Sequence, residues 1–344
     1  MTKQAFINEL TNALAEANRN AREEILSDIN EHFTEGLSQG LSEEEICRSL
    51  GQPGTIAAQV LEEMGSYSQE GRHLQTQYTG DIDQTFTGVN NVDIELDAST
   101  LNFLPSPTGE FRVTIKGNNT EYCTLENVNG TLRVTQRVKR RLFVFSFGWN
   151  TKGDQTTVYI PAQFMGEIRA KASAGGITAR DTSGQLDVKT SAGGITIENH
   201  RCNTIRAFSS AGGVTVRLAG EHIDTADIGT SAGGLTFEAG SVGPLRLNSS
   251  AGSVHAYVDR IGGDANISSS AGSVKLSARE VAGNIQLNSS AGSIKVSLPY
   301  DVNCRINVRK PSIGSLTNQL AGNPQSPYEL RATSSVGSIT LKPL

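Results

Sequence analysis

The apolar residues of this chain follow two different periods, one before and one after about residue 80. In residues 1–65 they recur three or four residues apart, and in the rest of the chain they alternate with polar residues. Helical spacing predicts amphipathic helices, whereas strict alternation predicts half-buried strands. The pattern therefore predicts a mainly β protein with a small N-terminal all-α domain.

The N-terminal segment is predicted to form four short helices in a compact bundle. Phe6 and Leu10 are four residues apart, as expected on the buried face of a helix. Ser42 followed by Glu45 is a capping-box pattern that begins a helix, and Gly51 stands where that helix is expected to end.

From residue 81 onward the sequence repeats with a period near 20 residues. SAGG corners begin at Ser173, Ser191, Ser210 and Ser231, SAGS corners at Ser250, Ser270 and Ser290, and weaker copies at Ser312 and Ser335. Each repeat contains two short alternating runs, so each is predicted to form one coil of a parallel β-solenoid. Small residues can stack at a tight corner, and glycine there permits a positive φ.

These patterns predict two domains joined by a polar segment. The boundaries are residues 1–65 for the helical domain, 66–80 for the linker and 81–344 for the solenoid, with irregular capping coils in 81–165 and regular coils in 166–344. Terminal repeats of a solenoid usually differ from the inner ones, which explains the irregular first part.

Composition excludes several classes of protein. Apolar residues make up 37% of the chain and 36 of the 344 residues are glycine, without a three-residue period. A disordered chain and a collagen are therefore excluded. Twelve acidic and four basic residues fall within residues 1–64, while the net charge of the whole chain is −5. An acidic head on a nearly neutral body gives no reason to expect nucleic-acid binding.

The start of the chain carries no predicted targeting segment. The first ten residues lack a basic stretch followed by an apolar run, and no segment approaches 18 consecutive apolar residues. The sequence thus predicts neither a secretory signal nor a membrane-spanning helix. The expected location is the cytoplasm, with its membrane face as the alternative.

Both parts of the chain resemble known bacterial families. The head is similar to the HAAS signalling-domain family, through Phe6-x-x-Glu9-Leu10, Asp28-x-x-Glu31-His32-Phe33, Gly36, Gly40, Ser42-Glu43-Glu44-Glu45-Ile46 and Leu50-Gly51-x-Pro53-x-x-Ile56-Ala57. That resemblance implies a helical, non-catalytic domain, often followed along the chain by membrane or envelope-linked modules.

The body resembles the "putative adhesin" family of β-strand repeats. The likeness is carried by Asn91-Val92-Asp93-Ile94-Glu95-Leu96, by Val158-Tyr159-Ile160-Pro161 and by the serial Ser-Ala-Gly corners. It implies a β-solenoid without assigned catalysis, and several members of the family are linked to the cell envelope. The family label itself rests on fold likeness and is weak evidence of adhesion.

Residues typical of catalysis or metal binding are few. Gly229-Thr230-Ser231-Ala232-Gly233 fits the GxSxG pattern of serine hydrolases, but that pattern needs a strand-to-helix elbow. We interpret it as one more corner. His200 and His222 flank turns, where we expect them to be exposed. Six aspartates could align across coils as in polysaccharide-cleaving β-helices, and we interpret them as solvated. They are Asp181, Asp187, Asp224, Asp227, Asp259 and Asp264.

The four cysteines are far apart in the sequence. Cys47, Cys123, Cys202 and Cys304 form no CxxC pair, so zinc binding and redox pairing are not expected. Free, buried thiols are predicted instead. No cofactor and no metal are expected.

One segment differs from the rest of the body because a basic run leads into alternating aromatics. It contains Arg137, Lys139, Arg140, Arg141, Phe143, Phe145, Phe147 and Trp149. Aromatic rings at the headgroup level with cations near anionic lipid are typical of a membrane-interface contact. An internal cap over the first coil, with the arginines at its rim, is the main alternative, and an oligomer interface is a third.

Together these observations favour a non-enzymatic interaction or scaffold protein, related to envelope stress or to the cell surface. The head is expected to dock a protein partner through acidic residues, and the solenoid to present a binding surface. The docking candidates are Glu23, Glu24, Glu31, Glu35, Glu43 and Glu44. The alternatives are a membrane- or peptide-sensing protein acting through residues 137–149 and a β-helix polysaccharide lyase or hydrolase.

Overall fold

The structure is a computed structural model. It describes residues 1–58 except 16, 18 and 39, residue 78, and residues 80–138 and 153–344. The chain divides into two compact units, and the described residues up to 58 belong to one and those from 78 onward to the other.

The first unit is helical, as the apolar spacing predicts. Its helices are α1 (Lys3–Ala13), α2 (Arg19–Ser38) and α3 (Glu43–Leu50), and residues 53–58 are also helical. The Ser42 side chain accepts the backbone N–H of Glu45, and the Glu45 carboxylate accepts the N–H of Ser42, which completes the capping box. The rings of Phe6 and Phe33 meet edge to face in the core, with their centroids 5.9 Å apart.

The described residues of the second unit form strands and one short 3₁₀ helix, Thr120–Tyr122. The strands are β1 (Ile82–Phe86), β2 (Asn91–Pro105), β3 (Phe111–Lys116), β4 (Cys123–Val128), β5 (Thr131–Gln136), β6 (Asp154–Ile160), β7 (Glu167–Ala174), β8 (Ile177–Arg180), β9 (Gln185–Ala192), β10 (Ile195–Glu198), β11 (Thr204–Ala211), β12 (Val214–Ile223), β13 (Thr225–Ala232), β14 (Leu235–Val242), β15 (Leu245–Ala251), β16 (Val254–Ile261), β17 (Ala265–Ala271), β18 (Val274–Val281), β19 (Ile285–Ala291), β20 (Ile294–Leu298), β21 (Arg305–Val308), β22 (Leu316–Asn318), β23 (Glu329–Val336) and β24 (Ile339–Pro343).

The strands from β7 onward alternate between two faces, which we call sheet B and sheet A. Odd-numbered strands from β7 to β19 pair in parallel in sheet B, and even-numbered strands from β8 to β20 pair in parallel in sheet A. Each coil therefore contributes one strand to each face. The predicted parallel β-solenoid is confirmed, with about nine turns.

The interior is filled by the apolar half of each alternating run. Residues such as Val188, Ala207, Ile228, Leu247 and Ile267 are in register on successive strands of sheet B, and all are fully buried. Burying one aliphatic side chain of this size stabilises the fold by about 1.5–3 kcal/mol. A single coil leaves these side chains uncovered, so stability depends on stacking.

At both ends of the stack, the spatial order of the strands differs from their order along the chain. Strand β2 runs through both faces and lies between β5 and β7 in sheet B and between β6 and β8 in sheet A. Strands β1, β3 and β4 close that end in antiparallel pairings. At the other end, β23 lies between β19 and β21, and β24 lies between β20 and β22. The last coil in the sequence is therefore an inner coil.

Candidate functional site

The Ser-Ala-Gly corners form a ladder of side-chain hydrogen bonds along the solenoid. The residue just before seven of the nine motifs is a buried serine or threonine whose hydroxyl donates to a glycine carbonyl of the preceding coil in the stack, at 2.7–3.0 Å. These bonds join Thr190 to Gly175, Ser209 to Gly193, Thr230 to Gly212, Ser249 to Gly233, Ser269 to Gly252, Ser289 to Gly272 and Ser334 to Gly292. The corner is thus a structural clamp between coils.

Glycine is needed at the corner because the backbones of successive coils meet there. A Cβ at Gly252 would overlap the carbonyl oxygen of Gly233, and φ of Gly252 is +156°. Gly272 and Gly292 face the same obstruction without a positive φ in the left-handed region. The positive φ expected from the sequence is therefore only part of the reason for these glycines, and the close approach of the backbones is the more general one.

The outward face of sheet B carries charges of alternating sign. One register column runs through successive strands in the order Arg133, Asp93, Arg169, Asp187, Arg206, Asp227 and Arg246. Neighbouring strands are about 4.8 Å apart, so each charge inside the column has an opposite charge on either side. The column is close to neutral overall, and it continues as Asn266 and Gln286.

The outward face of sheet A begins with a similar neutral pattern. Glu198 lies between two arginines, 3.1 Å from Arg180 and 3.2 Å from Arg217, and Arg217 is also 3.6 Å from Glu238. A threonine column runs beside this charged one. Its members are Thr178, Thr196, Thr215 and Thr236.

The GxSxG segment is a corner, as predicted. Gly229 lies under the ring of Phe208, which a Cβ at this position would meet at 2.9 Å. Thr230 donates to the Gly212 carbonyl, and Ser231 is exposed to solvent. Covering a strand glycine with an aromatic ring from the neighbouring strand is a known device for stabilising sheets.

His200 is buried, so the prediction that it is exposed is wrong. Its ring is fully enclosed, with Nδ1 2.8 Å from the hydroxyl of Thr182 and Nε2 2.9 Å from the carbonyl oxygen of Gly184. Since a carbonyl only accepts, Nε2 carries the proton and Nδ1 accepts from Thr182. Burial lowers the pKa of His200 to about 4, so the ring is neutral at pH 7. No local sequence pattern signals this packing.

His222 is exposed, as predicted, and it joins a surface network that the sequence did not indicate. Its Nδ1 lies 2.5 Å from the hydroxyl of Ser241, and its Nε2 lies 3.2 Å from Asp224. Serine, histidine and aspartate make the contacts of a hydrolytic triad, but that chemistry also needs oxyanion donors in a site that excludes water. The side chains of His222 and Asp224 are 65% and 59% exposed, so this network is open to solvent.

The aspartates considered for polysaccharide cleavage have separate neighbours. Asp187 lies 3.8 Å from Lys189, Asp259 lies 3.4 Å from Arg279 and Asp264 accepts from Asn284. Asp181 accepts from Asn199, and Asp227 stands between two arginines of the sheet B column. Within the described part of the chain, no group of three or more metal-ligating side chains is placed to hold an ion.

All four cysteines are free and buried, as predicted. Burial raises the pKa of Cys123 and Cys202 to about 12 and that of Cys304 to about 11. The pKa of Cys47 is also raised, mainly by burial. Thiols with raised pKa values are poor nucleophiles at neutral pH.

A buried polar cluster at the antiparallel end of the solenoid was not predicted either. The Asp154 carboxylate is 1% exposed and accepts from the backbone N–H of Asn118 and from the amide of Gln136 at 2.6 Å. The Gln136 oxygen accepts in turn from the backbone N–H of Ala98. The chain bends at Ala98 from sheet B to sheet A, so the cluster fixes this bend.

The basic-aromatic segment lies almost wholly outside the described residues. Lys139, Arg140, Arg141, Phe143, Phe145, Phe147 and Trp149 are not among them. Arg137 is described, and its guanidinium pairs with Glu95 and lies 3.9 Å from Asp97. The choice between cap, membrane contact and oligomer interface therefore stays a prediction.

The acidic docking candidates lie in two helices of the head. Glu23, Glu24, Glu31 and Glu35 belong to α2, while Glu43 and Glu44 begin α3. Glu43 accepts the backbone N–H of Lys3 at 2.8 Å and so ties the start of α1 to α3. Glu44 is exposed. The described helices include none that is long and apolar enough to cross a membrane.

Comparison with solved structures finds weak similarities over about three quarters of the chain. A "putative adhesin" from Bacteroides fragilis is 18% identical, with a TM-score of 0.42, over 77% of this chain and 99% of that one. A "putative lipid binding protein" from Parabacteroides distasonis is 14% identical, with a TM-score of 0.37, over 77% and 98%. These similarities carry no functional argument. No curated protein matches the chain.

Comparison with protein families agrees with both parts of the architecture. The HAAS model matches residues 5–59, which include the capping box and the head core. The Toastrack DUF4097 model matches residues 89–341, which include strands β2 to β23 and the start of β24. The chain therefore belongs to the Toastrack DUF4097 family and carries an HAAS domain at its N-terminus.

Proposed function

We propose that this protein is a non-enzymatic interaction or scaffold protein, related to envelope stress or to the cell surface. Its helical head docks a protein partner, and its solenoid presents an extended binding surface. The proposed location is the cytoplasm, with its membrane face as the alternative.

The observation that carries this proposal is the fixed register of the outward side chains. Parallel pairing places equivalent residues of successive coils about 4.8 Å apart. The Arg180–Glu198–Arg217–Glu238 column is one such array, and the hydroxyl clamps hold the coils that display it. A rigid array loses little conformational entropy when it binds an extended partner.

The test of the solenoid surface is photo-crosslinking in cells. A benzophenone amino acid replaces Thr196 in sheet A or Asn288 in sheet B, two outward positions on different faces. The proposal expects a discrete adduct from at least one face, and excess unlabelled protein should displace it. If neither position gives a displaceable adduct, or if the purified protein turns over anionic glycans, the proposal fails.

The head is proposed to dock its partner through the acidic residues of α2 and α3. Glu43 already holds the N-terminus of α1, so its loss would disturb the head itself. The informative variant therefore keeps Glu43 and replaces Glu23, Glu24, Glu31, Glu35 and Glu44 with glutamine. Loss of the captured partner at unchanged head stability supports docking, whereas retention of every partner contradicts it.

A second candidate function is sensing of a membrane or a cationic peptide through residues 137–149. The sequence observation that favours it is the basic run followed by alternating aromatics. Replacing Phe145 and Trp149 with serine separates this function from an internal cap. Lost liposome binding at unchanged thermal stability supports sensing, and a large loss of stability supports the cap.

A further inference from the structure

The corner sequence of the repeats changes in the middle of the solenoid, and the outward side chains of sheet A change in the same coils. The first four clear corners read SAGG, and the later ones read SAGS or end in Gly-Ser. The serine that replaces the second glycine points along the edge of sheet A, where each copy lies next to the copy in the neighbouring coil. Ser253 accepts the backbone N–H of Ser273, and Ser293 accepts that of Ser338.

The same coils replace the neutral charge pattern of sheet A with a basic one. In the threonine column, Thr236 is followed by His255, Lys275 and Lys295. In the Arg–Glu column, Glu238 is followed by Tyr257, Ser277 and Ser297 and then by Lys342. We call this patch the basic face; its residues are His255, Tyr257, Lys275, Ser277, Lys295, Ser297, Thr340 and Lys342.

The positive charge of the basic face is not balanced locally. No acidic residue occupies any of its eight positions, and within the described part of the chain no ion pair involves Lys275, Lys295 or Lys342. The nearest carboxylates along the same strands have other partners, since Arg260 holds Glu280 at 3.0 Å and Arg279 holds Asp259 at 3.4 Å.

Lys275, in the middle of the basic face, is held in position by its neighbour Tyr257. The Lys275 ammonium donates to the Tyr257 hydroxyl at 3.2 Å and lies 5.0 Å from the centre of its ring. Lys275 and Lys295 are in register on adjacent strands, so their stems start about 4.8 Å apart. Hydroxyl columns border this cationic row on both sides.

We propose that the basic face binds a linear polymer that carries phosphate groups, laid along the solenoid axis. This inference rests on the proposed function, in which the solenoid presents a binding surface. Lysine binds phosphate as a point charge, and serine, threonine and tyrosine hydroxyls donate to phosphate oxygens. A row of cations one strand apart suits an extended polyanion. A flat membrane would favour apolar side chains between the cations, and this face offers only the half-buried ring of Tyr257.

The test uses the full chain and long-chain inorganic polyphosphate as the probe. Lys275→Gln/Lys295→Gln should weaken binding about tenfold or more at low salt, because both charges act on the polymer together. The slope of log K against log salt should fall by about 1.4, at about 0.7 for each lysine removed. The matched control is Lys171→Gln/Lys189→Gln, which removes two lysines in register on sheet B.

Three results would overturn the inference. The first is that Lys275→Gln/Lys295→Gln binds polyphosphate as tightly as the wild type. The second is that the sheet B control loses as much affinity for polyphosphate as this variant does. The third is that the protein binds phosphatidylglycerol vesicles but not polyphosphate. None of them decides the proposed function. Photo-crosslinks from Thr196 or Asn288 would still support the proposed function, and the absence of both crosslinks would contradict it even if the basic face binds polyphosphate.

Discussion

The Nε2 atom of His200 lies 2.9 Å from the carbonyl oxygen of Gly184, one coil earlier in the solenoid. The bond links two turns in the interior and requires the proton on Nε2, which leaves Nδ1 of the neutral ring to accept from Thr182. A second proton would make the ring cationic in a place without solvent, and burial disfavours that charge.

Acid should therefore destabilise the solenoid through His200. The pKa is about 4 in the fold and about 6.5 in the unfolded chain, so the unfolded chain binds the proton first. The contribution of the neutral His200 ring to the free energy of unfolding is fully present above pH 6.5. It is lost as the pH falls towards 4, by about 2 kcal/mol at pH 5. Urea denaturation at pH 7 and pH 5 measures this loss.

His200→Gln should remove that part of the pH dependence, because glutamine donates and accepts without titrating. His222→Gln is the matched control, since it changes an exposed histidine. If His200→Gln loses as much free energy of unfolding between pH 7 and pH 5 as the wild type does, another group is responsible for the pH dependence.

Gly252→Ala should be strongly destabilising. Its Cβ would overlap the Gly233 carbonyl oxygen, and neither backbone can move without shifting the whole stack. We expect a loss of about 2–4 kcal/mol in the free energy of unfolding. Gly262→Ala is the control, because its Cβ would lie 3.5 Å from the nearest atom, the Val242 carbonyl oxygen. Equal stability of the two variants would contradict the account of the corners.

Ser269→Ala should cost about 1–3 kcal/mol, because it leaves the Gly252 carbonyl without its hydroxyl donor in a buried place. Ser269→Thr should be tolerated, since Thr230 makes the same bond to Gly212. Ser270→Ala, at the exposed neighbouring position, should leave stability unchanged. Thermal unfolding compares the stabilities of the three variants. A Ser269→Ala variant as stable as the wild type would show that this hydrogen bond does not stabilise the corner.

Asp154→Asn should destabilise the antiparallel end by about 1–3 kcal/mol or more. The new amide keeps one oxygen, so its NH2 group would face either the Gln136 amide or the Asn118 N–H, and two donors would meet. If Gln136 turned its oxygen towards position 154, the backbone N–H of Ala98 would lose its acceptor. Denaturant unfolding measures the loss, and a fully stable Asp154→Asn would show that the cluster does not fix the bend.

Glu198→Gln should cost less than about 1 kcal/mol, although it breaks contacts with Arg180 and Arg217. Both arginines are about half exposed, so water replaces much of the attraction. A large loss would mean that the surface columns, rather than the aliphatic interior, hold the coils together. Double-mutant cycles with Arg217 measure the pair directly.

The solenoid could be predicted because its signals are local and repeated. Residues such as Val188 and Leu247 alternate with polar neighbours, and the same small-residue corner recurs about every 20 residues. The order of the end coils could not be predicted in this way. Parallel pairing is set by contacts between distant segments, and β21 and β23 have similar alternating patterns, so the sequence does not say which of them follows β19.

The candidate sites were less accessible to sequence reasoning. The burial of His200 depends on Thr182 and Gly184 in the preceding coil, which no local pattern reports. The basic face was missed because Lys275 and Lys295 are 20 residues apart and meet only through register. The change from SAGG to SAGS was the available signal, since it marks the coils in which the face changes.

The position of β23 and β24 inside the stack has a consequence for synthesis. On a ribosome, residues 305–318 emerge before residues 329–343, yet in the finished protein they lie beyond them. The distal end can close only after residues 329–343 have emerged and entered between their neighbours. A chain without these residues would therefore lack strands within the stack and not at its end.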